Sequence, residues 1–202
     1  MTGRLSLRLW TIPTSPARNC RPPCNGIVNG NPNVNPRDGF LPEAIEALHV
    51  HHDRRSFTCG DPELDGYLKR FARQHAETKV SRTYVAVNGA AILGYYSLAL
   101  SGIRKDQLPS RYQSRFPNYP LPVARLARLA VDHRYQNRGL GELLLADALS
   151  RCLRLSEEIG MVGVVVDAKH EHARRYYERF EFERFPDAPL TLWLPTAAIA
   201  KL

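Results

Sequence analysis

The chain has 202 residues, 44% of them hydrophobic and 24% charged, with a formal net charge of +8. That is enough apolar material for one sizeable core, and no run of about eighteen apolar residues offers a membrane-spanning helix. The positive balance points towards an anionic partner such as nucleic acid or a nucleotide, although a merely basic surface gives the same sum.

Residues 1–42 differ from all that follows. Seven of the 15 prolines fall there, among many asparagines and little apolar periodicity. Such a segment cannot bury enough surface to offset its ordering entropy, so it reads as a disordered extension. It has no continuous apolar h-region or clear cleavage site, and sequence upstream of the true start would look the same. Cys20 and Cys24 have a zinc-compatible spacing, but no nearby second pair completes a site. With Cys59 and Cys152 they do not form a secreted disulfide framework, and a reducing cytoplasm fits.

The domain is expected over residues 43–202. Ile45 to Val50 reads as a first strand, with His49, His51 and His52 at its end. No carboxylate or cysteine set converges on them in sequence, so no metal is expected. Asp61 is a fitting N-cap and Pro62 a fitting first helical residue, with Leu64, Tyr67, Leu68, Phe71 and His75 on one face. Tyr84 to Val87 and Ile92 to Leu100 read as a hairpin around Asn88-Gly89, and the second strand is apolar enough to be central. Residues 103–120 form a basic loop in which Tyr112, Phe116 and Tyr119 alternate with Arg111 and Arg115. Such a mixture suits nucleotide stacking and phosphate attraction, or equally a loop packed on its own aromatics.

The most informative stretch is Arg125 to Arg154. A strand to Val131 leads into Gln136-Asn137-Arg138-Gly139-Leu140-Gly141, and from Leu140 apolar residues recur at helical spacing. Glycines at a strand-to-helix junction let a ligand approach the backbone, and the first free N–H groups of the helix favour an anion. A buried strand over Met161 to Val166, a helix from about Glu171 to Phe180 and a strand over Thr191 to Leu194 close the domain. The alternation describes an α/β sandwich around a mixed sheet.

Strand, Q-x-x-G-x-G and apolar helix together resemble the acyl-CoA pyrophosphate signature of the GNAT N-acetyltransferase superfamily. FTCGDPELDGYL, ILGYYSLAL, RLAVDHRYQNRGLG and AKHEHARRYYERFEF are similar to its tRNA-acetylating toxin branch, over roughly residues 44 to 195. In the pattern N-x-x-A-x-x-x-Y-E-x-x-G-F, His170 stands at the Asn, Ala173 and Tyr177-Glu178 match, and Glu181 replaces the Gly.

The resemblance implies a GNAT-like α/β fold, with a central mixed, mostly antiparallel sheet flanked by helices. Acetyl-CoA would be the cosubstrate, and no metal would be needed. Leu129, Ala130 and Val131 would offer backbone to the pantetheine arm, and Gln136, Asn137, Arg138, Gly139, Leu140 and Gly141 would hold the pyrophosphate. Tyr177 would be the general acid, and Arg111 and Arg115 are candidate substrate contacts. The implied substrate is aminoacyl-tRNA, acetylated on its α-amine so that translation stops. The implied partner is a neutralising antitoxin of the ribbon–helix–helix kind, with room for a homodimer. Acetylation of protein N-termini or a small amine, or a catalytically silent CoA- or nucleic-acid-binding module, are the competing readings.

Overall fold

The computed structural model describes residues 41–201. The expectations for the extension, apart from residues 41 and 42, and for Cys20 and Cys24 lie outside the described residues. Seven strands form one sheet in the order β1-β2-β3-β4-β5-β7-β6. They are β1 (Ala44–Ala47), β2 (Arg82–Asn88), β3 (Ala91–Ile103), β4 (Leu121–Val131), β5 (Gly163–Asp167), β6 (Glu183–Phe185) and β7 (Ala188–Pro195). Among these described strands only β4 and β5 pair in parallel, which makes the sheet mixed and mostly antiparallel.

Helices cover both faces. On one, α1 (Pro62–Gly66), a π-helical turn (Tyr67–Phe71) and α2 (Ala72–Glu77) run as one rod. Asp61 caps it by accepting from Glu63 and Leu64 N–H, as its sequence position predicts. The rod buries Tyr67, Leu68 and Ala72 against Val85, Val87, Tyr95 and Ala130. On the other face lies α4 (Leu140–Glu158), with Leu144, Leu145, Ala148, Leu149 and Cys152 buried. It approaches so closely that a Cβ on Gly94 would stand 2.8 Å from Leu144 Cδ1 and 3.0 Å from the Ala130 carbonyl.

The basic loop contains a 3-10 turn (Lys105–Gln107) and α3 (Ser110–Gln113). Its Leu108 joins Trp193, Val165 and Val123 in a second core cluster, with Tyr112 and Phe116 packed against it. Chain order then gives α5 (Glu171–Glu178) and α6 (Thr196–Ile199). Sequence reading missed β6, whose three residues are too few to show a period. It also ran β1 on to Val50, whereas the chain turns after Ala47.

Two departures from the family pattern have local explanations. His170 caps α5 through Nδ1, which accepts from Ala173 N–H at 3.1 Å, the task an Asn side chain oxygen would perform. Glu181 adopts φ +64°, the left-handed conformation for which a Gly is suited. Its N–H reaches Glu178 O at 3.2 Å, and Phe182 N–H reaches Tyr177 O at 3.4 Å, which closes a Schellman turn. A left-handed non-glycine costs about 1–2 kcal/mol, partly offset by the greater unfolded freedom of glycine. Glu181→Gly should therefore raise stability by up to about 1 kcal/mol in urea unfolding. A loss of stability would show that the Glu181 side chain contributes more than its backbone costs.

Candidate acyl-donor cleft

The site begins where two strands part. β4 and β5 are in register from Val123↔Gly163 to Leu126↔Val166 and no further. β4 then continues to Val131 while paired only to β3. The separation begins at a bulge: Leu126 faces Leu98 and Arg128 faces Ser97, so Ala127 is the extra residue. Leu129 and Val131 lie on this one-sided arm, whose second edge is open to an added strand-like ligand. Arg125 Nη1 bonds Asp167 Oδ2 and spans the two strands at the base of the fork.

The arm ends at Asp132, whose side chain is fully buried. Its carboxylate accepts from Arg134 Nε at 2.8 Å and Nη2 at 2.9 Å, from Arg134 N–H at 3.0 Å and from Thr58 N–H at 3.1 Å. Burial opposes its ionisation, but the Arg134 guanidinium and these N–H groups outweigh burial and hold the carboxyl below the usual range. His133 N–H adds a bond to Thr58 O at 2.8 Å. Gln136 Nε2 donates to Cys59 O at 2.9 Å and to Val131 O at 3.0 Å. The segment before α1 is thus stapled to the loop after β4. Gln136 is accordingly a brace for that loop, and its side chain nitrogen is already engaged.

From here the backbone turns into an anion-binding shape. Asn137 has φ +59° and Gly139 φ +80°, with Gly139 the cap of α4. Nothing lies within 4 Å of a Cβ built on Gly139, so its glycine serves conformation and leaves open space for a ligand. Leu143 N–H reaches Gly139 O at 3.1 Å as the first closed turn of α4, which leaves the N–H groups before it directed out of the helix start. Arg138 makes no ion pair among the described residues, and its guanidinium carbon lies 5.9 Å from the Tyr135 ring centre. Arg138 is therefore a free cation beside that helix start, suited to bidentate phosphate contact.

Tyr177 is 8% exposed, on α5, with its ring edge-on to Phe182 at 5.6 Å. Burial alone pushes its phenol up to about 12, so it carries its proton at neutral pH. Tyr176 stands beside it, ring centres 5.3 Å apart, and burial, then Tyr177 and Glu142, push its phenol up as well. The two thiols in the domain are poor nucleophiles. Burial and Asp65 raise Cys59 to about 12, and burial raises Cys152 to about 12.

The candidate substrate arginines sit in the basic loop. Arg111 Nη2 is bonded to Glu183 Oε2, and the Tyr112 hydroxyl to Glu183 Oε1 at 2.7 Å. The Arg115 guanidinium lies 5.8 Å from the Tyr112 ring centre. Sequence reading overlooked Arg128, whose guanidinium carbon is 3.7 Å from the Tyr67 ring centre, over the π-helical turn. It stands in one cross-strand row with Ser97 and Thr83. Its only signal was its place in a basic–apolar strand.

One expectation needs correction. A carboxylate does converge on the histidines: Glu46 Oε1 is 2.9 Å from His52 Nε2 and 3.9 Å from His51 Nε2. The hydrogen bonds of His52 do not suit a metal, however. His52 Nδ1 accepts from His49 N–H at 3.0 Å, which places the imidazole proton on Nε2, where it is donated to Glu46. A metal-bound Nε2 would require a protonated Nδ1 facing an acceptor. The cluster is a hydrogen-bonded turn.

The sequence profile of the acetyltransferase (GNAT) domain matches residues 79–184. A tRNA-acetylating toxin of Mycobacterium tuberculosis (strain ATCC 25618 / H37Rv) is 39% identical over 142 residues, covering 70% of this chain and 85% of that protein. The structure of AtaT complexed with acetyl-methionyl-tRNAfMet superposes with TM-score 0.73 at 28% identity, over 78% of this chain and 97% of that one. The structure of AtaTR bound with AcCoA gives TM-score 0.69 at 28% identity, over 78% and 96%.

If the Gly139 turn receives a pyrophosphate, Gly139→Asp should weaken acetyl-CoA binding by more than about tenfold in calorimetry, while circular dichroism stays that of the folded chain. The side chain would strain a positive φ and set a negative charge at the helix start. Wild-type affinity would place the cosubstrate elsewhere.

Proposed function

The chain belongs to the GNAT acetyltransferase family, and we propose that it transfers acetyl from acetyl-CoA to the α-amine of aminoacyl-tRNA and so stops translation. The observation that carries this reading is the fork between β4 and β5, with an open strand edge on one side and a cation-flanked helix start, free of any side-chain cap, at its mouth. A thioester bound there supplies the activated acetyl group. Leu129, Ala130 and Val131 give it a backbone edge, and residues 136–141 with the Arg138 charge hold its pyrophosphate.

The acceptor needs little assistance. An α-amine has a pKa of about 7.7–8, and an adjacent ester lowers it further, so much of it is neutral at physiological pH. The leaving thiolate, with a pKa near 8.5 in cysteine-like thiols, needs a proton that a tyrosine can give. Tyr177 is proposed as that donor, since burial keeps it protonated. Phe182 and the Schellman turn fix the position of its ring.

The substrate class is supported by the +8 balance and by the relative that acetylates tRNA. Arg111 and Arg115 are proposed phosphate contacts, and Arg115 is the stronger of the two because Glu183 already neutralises Arg111. We propose a cytoplasmic location because the proposed substrate is charged tRNA. Among the described residues no helix is long and apolar enough to cross a membrane. The proposed protein partner is a ribbon–helix–helix antitoxin, with a homodimer as the proposed assembly and no metal in the reaction.

Tyr177→Phe keeps the ring and removes the proton, so single-turnover acetylation should slow by about 10²–10⁴ with little change in acetyl-CoA affinity. A wild-type rate would return Tyr177 to a packing role. Binding of tRNA should weaken steeply with salt, each phosphate contact adding about 0.9 to the log–log slope. Arg115→Ala should reduce that slope by about one, and Arg111→Ala by less. A salt-insensitive affinity would favour a small amine as the acceptor.

A further inference from the structure

The hydroxyl of Tyr176 is buried and has no hydrogen-bond partner. Leaving such a group unpaired is destabilising, and a phenylalanine would fill the same space without that cost. The family pattern leaves this position open, so nothing in it calls for a tyrosine here.

Its location is specific. A Cβ built on Gly141 would meet Tyr176 Oη at 3.4 Å and Val131 Cγ2 at 3.8 Å. The hydroxyl therefore lies against the first turn of α4, beside the end of β4, where the open strand edge meets the helix start. Arg179 holds it there: its guanidinium carbon lies 5.3 Å from the Tyr176 ring centre and its Nη2 is 3.7 Å from Glu142 Oε1. That pairing also offsets the one carboxylate in the first turn of α4, which would otherwise repel an anion.

We propose that Tyr176 is a cosubstrate-positioning residue whose hydroxyl donates to a pyrophosphate oxygen of acetyl-CoA at the first turn of α4. This rests on the acetyltransferase reading and divides the tyrosine pair by role. Tyr177 supplies a proton, and Tyr176 supplies a hydrogen bond to the anion. Gly141 then serves the approach of the phosphate, since a Cβ there would meet the phenol only in ordinary contact at 3.4 Å.

The test compares wild type and Tyr176→Phe by calorimetry with acetyl-CoA and with S-acetyl-pantetheine, which lacks the pyrophosphate, and by thermal melting without ligand. A charge-assisted bond predicts that acetyl-CoA affinity falls by about tenfold or more. S-acetyl-pantetheine affinity should not change, and the loss in turnover should fall on KM for acetyl-CoA rather than on kcat. The ligand-free melting temperature should hold or rise, because the hydroxyl has no partner to lose. Unchanged acetyl-CoA affinity would overturn the proposal. So would a lowered melting temperature with equal losses for both ligands, since that marks a packing role. A wild-type chain that binds no acetyl-CoA would overturn the acetyltransferase reading itself, a result distinct from tight wild-type binding that the variant leaves intact.

Discussion

Everything at this site depends on β4 leaving β5 after Leu126 while staying bound to β3. A strand that keeps both neighbours has no free edge to offer, and one that loses both has no fixed position. The bulge at Ala127 turns the strand, and the buried Asp132 carboxylate fixes where the arm ends. Thr58 lies 74 residues from Asp132 in sequence, so this one group joins the segment before α1 to the loop that starts α4. A buried carboxylate is tolerated only when its acceptor sites are filled. Here an arginine and two backbone N–H groups fill them, and the polar centre becomes a rigid joint.

In the proposed function the site divides from that joint into an anchoring end and a reacting end. The proposed anchor is largely backbone: a left-handed glycine, a helix start and an arginine with no ion pair among the described residues need no moving part to hold an anion. The reacting end is aromatic, and its precision comes from packing. Tyr177 is held by Phe182 and by a turn that Glu181 closes in a conformation it adopts at some cost.

The parts legible in the sequence were those set by near neighbours. The glycine loop, the long helix after it, the Asp61-Pro62 helix start and the Asn88-Gly89 hairpin each follow from residues within one turn or strand. The mixed, mostly antiparallel sheet followed from their order and from the family resemblance. What could not be read depends on distant partners. Asp132 carries no local sign of its role, because Thr58 and its own burial are invisible in the nearby sequence. Glu46 reaches His52 only once β1 has turned after Ala47. Arg111 looked free until β6 brought Glu183 beside it, and Arg128 gained meaning from Tyr67 on another element.

The most direct test of the account is acetyl transfer itself. The purified chain, incubated with labelled acetyl-CoA and total charged tRNA, should place label on the α-amine of an aminoacyl ester. That label should leave the RNA when the ester is hydrolysed at mild alkaline pH and be recovered as an N-acetyl amino acid. Label found on protein N-termini or small amines, with none on charged tRNA, would contradict it.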